Sequence, residues 1–172
     1  MSPADTPAVA PAAPAPASTP QRRAAPKSAR RRAREFALQG LYQWLVAGAP
    51  VREIEANVAQ LEHFDKCDRA HFDALLHGCI EESAALDAVL ARHVDRKTSM
   101  LSPVEHAALL IGCFELSRCA EIPYRVAINE AVELAKAFGG TDGHKYVNGV
   151  LDKCAGQLRP DEAAAGRGRR AG

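Results

Sequence analysis

The chain has 172 residues with 22 Lys and Arg against 21 Asp and Glu, a net charge of +1 that by itself gives no sign of a polyanionic partner. No apolar run approaches the ~18 residues that cross a bilayer, and the Ala/Pro-rich start lacks the apolar stretch of a secretory signal, so a cytoplasmic chain with no membrane role is expected. Five cysteines (Cys67, Cys79, Cys113, Cys119, Cys154), odd in number and without a CxxC pair, read as reduced and mostly buried thiols.

The neutral total conceals a strong asymmetry. Residues 1–34 hold seven basic groups and one acid, a net of +6; the segment from Arg159 onward nets +2; residues 35–158 net −7. A basic entrance joined to an acidic body points to nucleic-acid contact.

Seven of the eleven prolines lie in the first 26 residues among Ala, Ser and Thr. Such a segment buries too little apolar surface to offset its ordering entropy, so residues 1–26 are expected to be a disordered lead. The next stretch, about 27–159, suits a single domain with one core. Around Leu41, the residues Ala37, Leu38, Trp44 and Leu45 share a helical face, which predicts an amphipathic helix from about Ser28 to Ala47, stopped by Gly48 and Pro50. Val51, Ile54, Val58 and Leu61 form a shorter stripe. Phe72, Leu75, Leu76, Cys79, Ile80, Leu86 and Leu90 form a long one that begins near Asp68.

At Ser102-Pro103-Val104-Glu105 the serine can cap the free amides, proline suits the first helical position, and the glutamate can reach back to the cap. The helix that follows is apolar nearly all round and should sit centrally. Pro123 begins another, with Ala127, Ala131, Leu134 and Phe138 inward, ending at Gly139-Gly140. The last runs from about Thr141 with Val147, Val150, Leu151, Cys154 and Leu158 inward. No segment reads as a strand, so the fold class is all-α; residues 160–172, which contain GRGRR, are expected to be a disordered basic tail.

Common catalytic signatures are missing: there is no phosphate-binding glycine loop, HExxH, GxSxG or dinucleotide fingerprint. His63, Cys67 and His71 are spaced by four, as three metal ligands on one helix would be, but Asp65 and Asp68 look like turn and cap residues, so the three straddle a helix start. No metal, cofactor or catalytic residue is expected; a zinc or thiol enzyme stands as the remote alternative.

Two segments carry more information. On the first helix Arg31, Arg32, Glu35, Gln39 and Tyr42 share one exposed face, and Arg31 and Tyr42 are about 16 Å apart, enough to track several nucleotides of single strand. Arginines can neutralise phosphates and an exposed tyrosine can stack on an unpaired base. The other reading is a solvated basic helix end with Tyr42 lying over a neighbouring helix. The second segment is the turn Phe138-Gly139-Gly140-Thr141-Asp142-Gly143-His144-Lys145-Tyr146, where glycines permit close approach of a strand and free amides favour a phosphate. Asp142 opposes a phosphate there. Capping by Gly139 and Thr141 explains the glycines without a ligand, and spacing alone favours that account.

The strings KSARRRAREFALQGLYQWL, LSPVEHAALLIGCFEL, IPYRVAINEAVELAKAFGG and TDGHKYVNGVLDK closely resemble the bacterial transcription antitermination factor family NusB, over about residues 27–159. The resemblance implies about seven helices in two subbundles. It also implies a non-enzymatic adaptor that binds single-stranded boxA RNA together with the small-subunit ribosomal protein acting as NusE, within the RNA polymerase antitermination complex, mainly on ribosomal RNA operons. It places RNA on Arg30, Arg31, Arg32, Arg34 and Tyr42, with Gln39 on the same face, and on Gly140, Asp142, Gly143, Lys145 and Tyr146; it places the NusE partner on Glu105. Leu110 and Phe114 depart from the Arg and Tyr usual in relatives, RKTSM lacks acids that some relatives carry before the capping serine, and His93 stands where some have an aromatic. A protein-binding scaffold with an idle basic face is the alternative from another class.

Overall fold

The computed structural model describes residues 27–170; the expected disordered lead, residues 1–26, lies outside the described residues. Among the described residues there are eight α-helices, two short 3-10 turns and no strand, and no helix is long and apolar enough to cross a membrane.

Helix α1 (Ala29–Ala47) starts where Ser28 Oγ accepts from the Arg31 amide and ends at Gly48, whose φ of 61° needs the left-handed freedom of glycine. Helix α2 (Val51–Ala59) buries Ile54 and Val58; Leu61, read as part of its stripe, lies beyond its end and is exposed. The stripe from Phe72 to Leu90 is two helices, not one. Asp68 caps α3 (Arg69–Glu81), the chain breaks at Glu82, and α4 (Ser83–Ala91) continues in a new direction. The break lets Phe72, Leu75 and Leu76 face α1 while α4 packs on the central helix, and Glu82 is anchored there by Arg118 Nε at 3.0 Å. Periodicity survives such a bend, so the pattern did not reveal it.

Helix α5 (Pro103–Arg118) is central, as its all-round apolarity predicts: every residue from His106 to Leu116 is buried. It contacts α1, α3 and α4 on one side and α6 (Tyr124–Phe138) and α7 (Gly143–Leu158) on the other, which gives the two subbundles a shared spine. Gly112 makes the close crossing possible: a Cβ there would stand 2.5 Å from Leu151 Cδ1 and 3.2 Å from Ala131 Cβ. Leu110 and Phe114 are both core residues, so their departures from the family pattern are absorbed internally.

The tail expected to be structureless from Pro160 is instead a helix, α8 (Pro160–Arg170). Proline opens it, Asp161 and Glu162 occupy its first turn and Arg167, Arg169 and Arg170 its last, the order the helix dipole favours. Tertiary contacts complete the case. Ala163 and Gly166 are buried, Gly166 beside Tyr124 and Arg125 of α6; Glu162 accepts from the Tyr124 amide, and Arg125 donates to the Gly166 carbonyl. Arg159 is likewise no tail charge. Its buried guanidinium donates to the carbonyls of Glu115, Leu116, Cys119 and Ile122, closing the otherwise open C-terminal end of α5.

Candidate nucleic-acid interface

The four arginines at the start of α1 have four different environments. Arg34 is 4% exposed: Nε and Nη2 donate to the carboxylate of Glu115 on α5 at 2.8 to 3.1 Å, and His71 Nε2 lies 3.2 Å from the same carboxylate. Glu115 is fully buried. Burial would push its pKa up, but the hydrogen bonds from His71 and Arg34 and the Arg34 charge outweigh that and hold it below the usual carboxylate range. Arg34 is therefore a core residue that neutralises a buried charge, and its assignment to the RNA is corrected. The solitary acid in the apolar run CFEL was the available signal.

Arg31 faces outward but is held bidentately by Glu130 of α6, Nη2 to Oε1 at 2.9 Å and Nε to Oε2 at 3.1 Å. Arg30 lies 3.5 Å from Asp68, the cap of α3. Arg32 is half-buried and has no acidic partner among the described residues. The Arg30 pair is open to solvent, where such a contact is worth about 0–1 kcal/mol, so an incoming phosphate can displace it; the Arg31 pair is bidentate and part-buried on the Glu130 side, so a phosphate would share the exposed side of Arg31.

Further along α1, Tyr42 is 43% exposed. It stands on a groove of about 420 Å³ lined by Leu38, Gln39, Gln43, Val104 and Phe138. Gln39 is tied to its own helix through the Glu35 carbonyl at 3.3 Å. Phe138, read as a core residue of α6, is 38% exposed and presents a second aromatic surface to this groove. Its place at the last residue of α6, just before Gly139, takes it off the buried stripe.

Val104 links this groove to the second predicted segment, since it also lies beside Gly139. There Gly139 ends α6 in extended conformation, as expected, but Asp142, not Thr141, is the residue before α7, and its side chain does not bond the helix amides. It pairs with Lys145 at 3.4 Å, both exposed. Gly140 is exposed and open, whereas Gly143 is buried against Glu105: a Cβ on Gly143 would stand 2.9 Å from Glu105 Oε1. Ser102 does cap α5, accepting from the Glu105 amide at 3.3 Å, yet the Glu105 carboxylate turns toward the start of α7 instead of back to the cap. A carboxylate there suits the positive end of the α7 dipole and opposes a phosphate at the same spot.

Tyr146 is half-buried, with one ring face under the Arg96 guanidinium at 4.9 Å and its hydroxyl donating to Asp95 at 3.1 Å. Arg96 and Asp95, which sequence reasoning passed over, hold this ring in place; Arg96 Nε donates to Asp95 at 2.8 Å. His93 Nε2 lies 2.8 Å from Gln157 Oε1. The residues His63, Cys67 and His71 are not gathered: His63 is exposed beside Glu62, Cys67 ends a 3-10 turn, and His71 serves Glu115.

Comparison with known proteins decides the family. A sequence profile described as the NusB family matches residues 31–156. The chain belongs to the NusB family. It is 60% identical over 143 residues to the transcription antitermination protein NusB of Paraburkholderia phytofirmans, which covers 83% of this chain and 99% of the relative. The structure of T. maritima NusB superposes with a TM-score of 0.67 at 26% identity, over 78% of this chain and 96% of that one. The NusB fold also matches a crystal structure of the antitermination factors NusB and NusE in complex with dsRNA, with a TM-score of 0.65 at 24% identity, covering 73% and 95% of the two chains. Helix α8 lies beyond the residues matched by the NusB profile.

Proposed function

We propose that this protein is a transcription antitermination factor: a non-enzymatic adaptor that binds single-stranded boxA RNA together with the small-subunit ribosomal protein acting as NusE, and so helps RNA polymerase read through terminators. The observation that carries the reading is 60% identity over nearly the full length of a relative bearing that name. The surface supports it. Arg30, Arg31 and Arg32 supply charge at one end of α1, Tyr42 and Phe138 supply rings along it, and Val104 connects them to Lys145 and Tyr146. Rings flanked by displaceable cations suit splayed bases on a phosphate chain more than the deep groove of an RNA duplex. Glu105 and the acidic body offer charge complementary to a basic ribosomal protein.

The test is binding of boxA RNA, single-stranded and as a duplex, with and without NusE, to the wild type and to Tyr42→Ala and Lys145→Ala. Loss of stacking at Tyr42 should cost roughly 1–3 kcal/mol. Loss of Lys145 should lower the salt slope by about 0.7 if one phosphate contact disappears. If NusE gives no enhancement and neither substitution weakens binding, the adaptor reading is wrong.

A further inference from the structure

Between α6, α7 and α8 lies a polar cavity of about 330 Å³, lined by Arg125, Arg167, Arg170, Tyr124, Asn129 and Asn148. Two of its three guanidinium groups come from α8, the helix beyond the span of the NusB profile. The arginines of the α1 end are mostly neutralised by Asp68, Glu130 and Glu115. Those of the cavity are not: among the described residues no carboxylate forms an ion pair with Arg125, Arg167 or Arg170, although Asp152 also lines the space. Three positive groups against one negative group leave a net positive concavity. Arg125 donates to the Gly166 carbonyl at 2.8 Å and lies 5.4 Å from the centre of the Tyr124 ring, so it is held in place before any ligand arrives.

We infer that this cavity is a second phosphate-binding site, created by α8, that takes the backbone of RNA flanking the boxA element. Guanidinium groups bind phosphate oxygens through paired N–H donors, and the Asn129 and Asn148 amides add neutral donors beside them. Its place in the fold favours RNA as the source of the phosphate. Asn148 and Asp152 of α7 follow Lys145 by three and seven residues and so share its helical face, which continues the cavity from the Lys145 end of the proposed RNA surface. The identity of the RNA rests on the antitermination reading; the anion site itself does not.

The experiment compares the full chain with an Arg167→Gln/Arg170→Gln variant. Both side chains are exposed and neither holds a bond among the described residues, so the fold is retained, and Arg125 is left intact because it anchors α8. Binding is measured across a salt series for three RNAs: boxA alone, boxA flanked by oligouridine, and a scrambled element with the same flanks. The variant should bind boxA alone like the wild type. On flanked RNA it should lose about 1.4 from the salt slope, two contacts' worth, and bind roughly tenfold more weakly at ~0.1 M salt. Unchanged slope and affinity on both flanked RNAs overturn the proposal, as does a variant that loses binding to an oligoglutamate peptide while its RNA binding is unaffected, which would point to an acidic protein instead. A wild type that shows no preference for boxA over the scrambled element defeats the antitermination reading alone, because the slope difference on flanked RNA still reports the cavity.

Discussion

Replacing Arg34 with alanine separates the two roles that the arginine cluster could play. The substitution leaves Glu115 fully buried with His71 as its remaining side-chain hydrogen-bond partner. Removing one partner of a buried pair costs about 3–5 kcal/mol, because the other charge stays desolvated. For a chain of this size that corresponds to a fall in melting temperature of roughly 6–20 °C. The loss should also depend on pH. Glu115 has a folded pKa below its unfolded value, so its contribution is present above the ordinary carboxylate range and is lost as pH falls through the folded pKa. Without Arg34 that pKa rises, and acid destabilisation begins at a higher pH. Adding Glu115→Gln should restore part of the stability, since a neutral amide leaves no unpaired charge. Urea and thermal unfolding followed by circular dichroism at several pH values measure all of this, and RNA binding well below the melting temperature completes the comparison. A destabilisation under about 1 kcal/mol, within reach of an exposed pair, together with an RNA defect as large as that of Tyr42→Ala, would refute the assignment of Arg34 to the core.

Three further outcomes are expected. Gly112→Ala drives a methyl group into Leu151 and Ala131 at the crossing of α5 with α6 and α7, and should cost about 1–3 kcal/mol in chemical denaturation. Ser102→Ala removes the side-chain cap of α5 and should cost ~1 kcal/mol by the same measurement. Tyr146→Phe removes the hydroxyl bond to Asp95 but keeps the ring under Arg96, so RNA affinity should hold, whereas Tyr146→Ala should weaken binding by about 1 kcal/mol or more in a titration.

The all-helical class, the limits of α1, the Ser102 cap and the central place of α5 were legible in the sequence because each depends on local order. Helical periodicity, proline at a first position and glycine after a last turn act within a few residues. The exposed positions of Tyr42 and Lys145 follow from the same local geometry, and the quoted motifs were enough to indicate the family. Contacts between distant residues decided the rest. Arg34 meets Glu115 across 81 positions and Arg31 meets Glu130 across 99, so which arginines face solvent depends on where α5 and α6 dock. Phe138 and Val104 join Tyr42 in one groove only after α1, α5 and α6 have packed. The tail from Pro160 shows the same limit. Its two glycines offset the helix propensity of its alanines and arginines, a segment this short is marginal alone, and α8 has its place because Tyr124, Arg125 and Arg159 hold it to the body of the protein.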